Sequence, residues 1–166
     1  MMRRRGLLHL VLFTSFVLAM PPARAVVELD QPAPPLKGTL LSGDRFDLAT
    51  YKGKVVLVNF YSSYCRHCAL EIGSVETYRD DMKDRGFEVL VIAIDRPDDK
   101  DRVAHALGTY NLQGAMVSDL EESGFERSYP TPTAFVIDRE GIVRAKLWGA
   151  KTLPRMRELM TPFLGK

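Results

Sequence analysis

Cysteine, tryptophan and histidine are scarce in this chain, which has two cysteines, one tryptophan and three histidines in 166 residues. A structural zinc site takes four Cys or His ligands, and no segment supplies such a set. Neither a glycine-rich phosphate loop nor a haem-attachment motif occurs. The sequence therefore predicts no nucleotide, flavin, haem or metal cofactor.

Beyond its first 25 residues the chain also lacks a basic block and any apolar run near the roughly 20 residues that span a bilayer. Its charges are nearly balanced, with 23 basic and 21 acidic residues. A nucleic-acid partner is therefore not expected. The length suits one domain with a full apolar core, which does not depend on disulfides to fold.

The first 25 residues have the pattern of a secretory signal peptide. Their apolar stretch is shorter than a membrane span, so we predict cleavage rather than a retained membrane anchor. Removing them changes the formal charge from +2 to −2, and residues 26–166 are predicted to form one domain. The signal pattern consists of arginines at 3–5, an apolar stretch at 7–19, prolines at 21–22 and an A-x-A site at 23–25.

The two cysteines stand three residues apart, in Cys65-Arg66-His67-Cys68, directly after the apolar run of residues 54–60. A strand, a helix and a second buried strand around this pair predict a right-handed βαβ unit in an α/β domain. The other predicted elements are a hairpin at 36–41 and 45–48, the βαβ unit at 55–60, 65–85 and 87–94, helices at 99–110, 121–127 and 153–163, and strands at 115–118, 133–138 and 142–148.

Helical spacing makes the two thiols unequal. Cys68, Ile72 and Val75 share the apolar face of the predicted helix, whereas Cys65 lies at its first turn. The thiolate is the nucleophile, and an ordinary thiol is only about 3% ionised at pH 7. A helix N-terminus favours the anion by roughly 0.3 to 2 kcal/mol, and His67 can add a charge or a hydrogen bond. We predict Cys65 as nucleophile, Cys68 as the resolving thiol of a Cys65–Cys68 disulfide, and His67 as a residue that tunes the pKa of Cys65.

Three alternatives to a dithiol enzyme follow from the same residues. A peroxiredoxin would need proline at position 58 and threonine at position 62. This chain has Val58 and Ser62 there instead. A metal-binding chaperone could use the two thiols with a histidine to hold a soft cation, but His67 lies between the cysteines and His105 is on another predicted helix. A purely structural disulfide in an exported binding module is the third.

Five segments occur in a characteristic order: Pro32-Ala33-Pro34, residues 48–54 ending in Lys-Gly-Lys, residues 55–68, residues 132–138 followed by Gly141, and Gly149 before the last helix. In this order they resemble the thioredoxin-like superfamily, and within it the exported TlpA/ResA/CcmG group of thiol-disulfide oxidoreductases. The resemblance covers nearly all of residues 26–166. It implies a thioredoxin-like fold, with a central mixed sheet flanked by helices and an N-terminal β-hairpin extension.

The resemblance also implies roles for residues outside the Cys pair. Pro132 matches a proline that forms a cis peptide beside the active-site sulfurs, and the backbone of Thr131 and Pro132 is expected to line the substrate groove. Tyr64 stands where the group most often has tryptophan and is expected to form an aromatic wall that contacts substrate. Asp98 follows the next strand, where the group often has an acid, and is the candidate proton acceptor for the resolving thiol.

Two further positions depart from the related proteins. Asn59, six residues before the first cysteine, occupies the place of the buried acid of ordinary thioredoxins, and an amide cannot relay a proton. Gly73 lies near a position where a kinking proline is common in the active-site helix.

The expected function is that of a periplasmic bacterial enzyme that reduces or exchanges disulfides of exported proteins. The resemblance implies a membrane-bound electron donor and makes cytochrome c maturation a plausible role. The histidine between the cysteines instead favours a disulfide oxidant or isomerase, because one dithiol can run in either direction according to its potential and partner.

Overall fold

The computed structural model describes residues 27–126 and 129–164, and the predicted signal at residues 1–25 lies outside them. Its strands are β1 Leu36–Thr39, β2 Arg45–Asp47, β3 Val55–Tyr61, β4 Phe87–Ala93, β5 Gly114–Met116, β6 Leu120–Ser123, β7 Thr133–Ile137 and β8 Val143–Trp148. Its α-helices are α1 Arg66–Met82, α2 Lys100–Thr109 and α3 Leu153–Leu164. Among these described residues no helix is both long and apolar enough to cross a membrane.

The centre of the fold is a five-stranded sheet in the order β5-β4-β3-β7-β8. Strands β3, β4 and β5 are parallel, while β7 and β8 are antiparallel to their neighbours. The predicted mixed sheet is thus confirmed. Strand β3 is buried along its whole length, as expected for a strand covered on both faces.

Two apolar cores cover the two faces of this sheet. The buried apolar side chains of all three helices belong to one core, which includes Cys68, Val103 and Met160. The other core lies under a three-stranded sheet of β1, β2 and β6 and includes Leu36 and Phe125. The active-site helix therefore packs on one face of the central sheet, and the N-terminal hairpin packs on the other.

One predicted element is wrong. The helix expected at residues 121–127 is instead strand β6, Leu120–Ser123, and residue 127 lies outside the described residues. Strand β6 pairs with β1 and makes a three-stranded sheet in the order β2-β1-β6. The glutamates at 121 and 122 favour a helix locally, but pairing with a strand distant in sequence overrides that weak preference. The predicted hairpin is thus two strands of a separate small sheet.

Helix α1 begins one residue later and ends earlier than predicted. A short 3-10 turn, Lys83–Arg85, follows it and ends at Gly86, whose φ of 76° is left-handed. Gly73 lies inside α1, so the helix continues through the position where a kinking proline is common in related proteins.

Residues 30–35, termed here the N-terminal strap, lie along the outer edge of β8. The Asp30 N–H donates to the Val143 carbonyl oxygen at 2.8 Å, and the Val143 N–H donates to the Gln31 carbonyl oxygen at 2.9 Å. The Ala33 N–H donates to the Gly141 carbonyl oxygen at 2.8 Å. The strap therefore covers the start of an edge strand.

Candidate active site

The cysteine pair lies where β3 ends and α1 begins. Cys65 is the N-cap of α1, with extended φ and ψ of −86° and 110°. The Cys68 N–H donates to Cys65 Sγ at 3.2 Å. The Cys65 sulfur thus takes the position of a capping serine oxygen, facing backbone donors at a helix N-terminus. Both cysteines are free thiols in the structure.

Opposing effects act on the Cys65 thiol, which is partly exposed. Burial raises its pKa, but hydrogen bonds from Cys68, Thr131 and the backbone N–H of Cys68 and His67 outweigh this, so the pKa of Cys65 is lowered. In the protonated form, Cys65 Sγ donates to the Thr131 carbonyl oxygen at 3.4 Å. This thiol therefore has both the exposure and the acidity of an attacking nucleophile.

Cys68 has the opposite environment. It is 1% exposed and packs in the helix-side core with Tyr61, Ile72 and Val75. Burial, followed by the hydrogen bond with Cys65, raises the pKa of Cys68 to about 12. Cys68 therefore stays protonated near neutral pH, as a resolving thiol does before an acceptor takes its proton.

The histidine between the cysteines is exposed. Its backbone N–H is among the groups that lower the pKa of Cys65. The tuning effect of the His67 imidazole itself stays a prediction.

The Thr131–Pro132 peptide bond is cis and lies beside Cys65. Pro132 is buried, and its carbonyl oxygen accepts from the Gly149 N–H at 3.0 Å. The structure thus brings Thr131 and Pro132 next to Cys65, where the resemblance implies a substrate groove.

Tyr64 precedes Cys65 in the chain and is exposed, but its side chain is held in place. Its side chain is 61% exposed, and its hydroxyl donates to Asp99 Oδ1 at 2.6 Å. The guanidinium of Arg102 lies 4.8 Å from the ring centroid, in a cation–π arrangement. The hydrogen bond from Tyr64 lowers the pKa of the Asp99 carboxyl. An aromatic side chain therefore stands at the entrance of the site in a fixed orientation.

The acidic segment after β4 contains a residue that the sequence analysis missed. Asp98 is exposed on the 3-10 turn Pro97–Asp99, and its role as proton acceptor stays a prediction. Asp95 is 6% exposed and accepts from the Ser63 N–H at 3.0 Å and from the Ser63 hydroxyl. Asp95 thus anchors the loop that leads to Cys65. Its position at the end of a buried strand was the available signal.

A buried ion pair was also missed. The side chains of Glu71 on α1 and Lys151 are 1% and 4% exposed, and Lys151 Nζ lies 3.1 Å from Glu71 Oε1. Burial raises the pKa of Glu71, while the Lys151 ammonium opposes that shift. Glu71 follows Cys68 by three residues, so its place on the apolar helix face was the signal in the sequence.

Asn59 lies inside β3, and its side chain is buried. Its Oδ1 has no hydrogen-bond partner within the described ranges. The same part of the chain contains no group of three or more His, Cys, Asp or Glu side chains with the geometry of a metal site.

Comparisons with known proteins agree with this geometry. The AhpC/TSA family profile matches residues 29–146. Thiol-disulfide oxidoreductase ResA of Bacillus thuringiensis subsp. konkukian is 28% identical over 137 residues, which are 81% of this chain and 78% of that protein. Thioredoxin-like protein YneN of Bacillus subtilis is 26% identical over 135 residues, 80% of this chain and 78% of that protein.

Solved structures share the fold. A thiol:disulfide interchange protein of the thioredoxin family from Chlorobium tepidum superposes with a TM-score of 0.69 at 25% identity, covering 83% of this chain and 99% of that chain. The thioredoxin domain of a thiol-disulfide oxidoreductase from Bacteroides vulgatus gives a TM-score of 0.65 at 24% identity, covering 81% and 99%. The predicted thioredoxin-like fold and the resemblance to ResA-type proteins are confirmed.

Proposed function

The chain belongs to the AhpC/TSA family and is a thiol-disulfide oxidoreductase, and on that premise we propose that Cys65 and Cys68 reduce or exchange disulfides of exported proteins. Val58 and Ser62 stand where a peroxiredoxin requires proline and threonine. The dithiol, rather than a single peroxide-reactive cysteine, therefore carries the proposed chemistry.

The reduction runs through two exchanges. The Cys65 thiolate attacks one sulfur of the substrate disulfide, whose S–S bond breaks as a mixed disulfide forms, and the departing sulfur takes up a proton. Cys68 then loses its proton and attacks Cys65 Sγ. The Cys65–Cys68 disulfide forms, the second substrate sulfur leaves as a thiol, and two electrons have passed to the substrate.

The observation that carries this proposal is the opposite pKa shift of the two thiols. The lowered pKa of Cys65 increases the thiolate fraction of that sulfur at a given pH, and the raised pKa of Cys68 keeps the second thiol protonated until the mixed disulfide has formed. A structural disulfide would require neither the partial exposure of Cys65 nor this difference in acidity.

The surroundings of Cys65 support a protein substrate. The backbone at Thr131 and Pro132 lies on one side of the sulfur, and the fixed ring of Tyr64 lies on another. Trp148 is 69% exposed and pairs in the sheet with Thr133, the residue after Pro132. We infer that an extended substrate segment binds between these aromatic side chains, along the backbone of residues 131–132.

In the cell, the signal-like residues 1–25 direct the chain to the bacterial periplasm, where a membrane-bound donor returns it to the dithiol form. Cytochrome c maturation is the substrate assignment favoured by the ResA-type resemblance. A second candidate, a disulfide oxidant or isomerase, is favoured by the lowered pKa of Cys65, because a stabilised thiolate makes the disulfide a stronger oxidant.

Two serine variants test the exchange mechanism. Cys65→Ser should abolish reaction with a model disulfide such as 2-hydroxyethyl disulfide, because the nucleophile is lost. Cys68→Ser should keep the first exchange and accumulate the mixed disulfide, which mass spectrometry detects. Unchanged turnover in Cys65→Ser would contradict the proposal.

The direction of electron flow is tested separately, by trapping thiols with an alkylating agent in intact cells. A mainly dithiol population of Cys65 and Cys68 is expected of the reductase. A mainly disulfide population would support the oxidant or isomerase instead. Fractionation of the same cells, with N-terminal sequencing of the mature chain, tests export and cleavage after residue 25.

A further inference from the structure

A path of polar contacts joins the active-site helix to residues 129–132, termed here the Pro132 loop. Lys151 Nζ lies 3.1 Å from Glu71 Oε1 on α1 and donates to the Gly149 carbonyl oxygen at 2.7 Å. The Gly149 N–H donates in turn to the Pro132 carbonyl oxygen at 3.0 Å. One lysine therefore bridges α1 to the residue that holds Pro132.

The same path leads back to Cys65, the proposed nucleophile. Thr131, the neighbour of Pro132, accepts from Cys65 Sγ at 3.4 Å, and Cys65 caps the same helix that carries Glu71. The contacts thus form a ring that starts and ends on α1 and passes through the proposed substrate groove. A change at Lys151 would act on the distance between the groove and the sulfur.

Burial of the ion pair argues for a positional role. Both side chains are almost completely removed from water, and neither carboxylate oxygen of Glu71 is in hydrogen-bond geometry with a donor in the described part of the chain. Desolvation offsets much of the attraction in such a pair, so an apolar pair of similar size is often equally stable. A role in holding Glu71 and the Gly149 carbonyl together therefore explains the buried lysine better than a gain in folding stability does.

The other anchor of the Pro132 loop lies on the opposite face of the sheet. The Tyr129 ring packs against Phe60, with centroids 4.5 Å apart, in the core away from α1. Polar contacts from the loop toward α1 include those of Thr131 with Cys65 and Cys68 and the path through Gly149 and Lys151. The path through Gly149 and Lys151 involves neither cysteine, so it stays in place while Cys65 is engaged with a substrate.

We propose that Lys151 is a positioning residue, whose bridge between Glu71 and the Gly149 carbonyl holds the Pro132 loop at the distance from Cys65 that a bound polypeptide disulfide requires. This inference rests on the proposed function, since it assigns the loop to substrate binding. A small disulfide needs no groove and reaches Cys65 without the loop. Polypeptide and small substrates should therefore respond differently to the loss of Lys151.

The test compares Lys151→Met with the unchanged chain on two probes, 2-hydroxyethyl disulfide and a synthetic 12-residue peptide closed by one disulfide. Stopped-flow measurements give the second-order rate constant of the reduced protein with each probe. We expect the peptide rate to fall about tenfold or more, because misplacement by about 1 Å can slow a positioned reaction by up to about 100-fold. The rate with the small disulfide should change less than about twofold.

Two further variants separate positioning from stability. Glu71→Leu combined with Lys151→Met replaces the ion pair by an apolar pair, which should preserve folding while leaving the Gly149 carbonyl without its lysine donor. Met160→Ala removes a buried side chain of α3 and should lower the melting temperature without touching the ring of contacts.

Selective loss of the peptide rate in the double variant, with the ratio of the two rates unchanged in Met160→Ala, would support the proposal. The proposal would be overturned if the ratio of the peptide rate to the small-disulfide rate were unchanged in the double variant. It would also be overturned if this ratio fell equally in Met160→Ala. If the unchanged chain shows no Cys65-dependent reaction with either probe, the proposed function itself is contradicted.

Discussion

Cys65 and Cys68 are three residues apart and share one helical turn, yet their environments differ in nearly every respect. One sulfur caps the helix and faces backbone donors, and the other is enclosed by the core. The difference in acidity arises from burial and from hydrogen bonds, those of the Cys68 and Thr131 side chains first and those of backbone amides after them. No charged side chain is needed to distinguish the two thiols.

This asymmetry predicts a pH-dependent labelling pattern. In the folded, reduced protein, iodoacetamide should modify Cys65 near neutral pH, with a rate that levels off below the ordinary thiol pKa of about 8.5. Cys68 should stay unmodified until the pH approaches about 12. Peptide mapping by mass spectrometry measures both sites, and the chain in denaturant, where both should react, is the control. Equal labelling of the two folded thiols would contradict the assignment.

At the level of secondary structure, strand β6 sets how the small sheet packs. Its pairing with β1 brings the two backbones unusually close at Gly38. A Cβ at this position would lie 2.5 Å from the Asp119 carbonyl oxygen and 2.9 Å from Leu120 Cα. Because both neighbours are backbone atoms, they cannot turn aside as a side chain would.

Gly38→Ala should therefore destabilise the protein by about 1 to 3 kcal/mol, the usual range for overpacking. Gly108→Ala is the matched control, because a Cβ there meets no atom within 4 Å and the position lies in α2. Alanine is favoured over glycine in a helix by about 1 kcal/mol, so this control should gain stability. Urea unfolding measures both changes. Equal effects of the two substitutions would refute the close approach of β1 and β6.

Across the whole molecule, the N-terminal strap joins the two sheets. It covers the start of β8, and the Gly124 N–H beyond β6 donates to the Pro35 carbonyl oxygen at 2.8 Å. Asp30 also lies 2.8 Å from the guanidinium of Arg144 on β8. An uncovered edge strand can pair with another chain, so the strap both stabilises the fold and limits association.

A chain that begins at residue 36 should thus be less stable than one that begins at residue 26. Among the described residues the strap makes four backbone hydrogen bonds to the rest of the fold, worth about 1 kcal/mol each, so the free energy of unfolding should fall by about 4 kcal/mol. Urea unfolding measures the difference, and light scattering detects association through the exposed edge. Equal unfolding midpoints would show that the strap contributes nothing.

The sequence predicts the parts of this molecule that depend on local order. Continuous apolar runs identify β3 and β4, and helical spacing separates Cys65 from Cys68. The misassigned β6 and the missed partners Asp95 and Lys151 depend on contacts between distant segments. Lys151 lies 80 residues after Glu71, and no local pattern indicates that a surface-type residue will be buried against it.

The enclosure of Cys68 has a consequence for oxidative damage. A peroxide that reaches the site meets Cys65 first and converts it to a sulfenic acid, which further peroxide would oxidise irreversibly. Cys68, shielded from the oxidant and three residues away, can condense with that sulfenic acid and release water. The product is the same Cys65–Cys68 disulfide that the proposed turnover yields, so the reductant that serves this turnover would also reverse the oxidation.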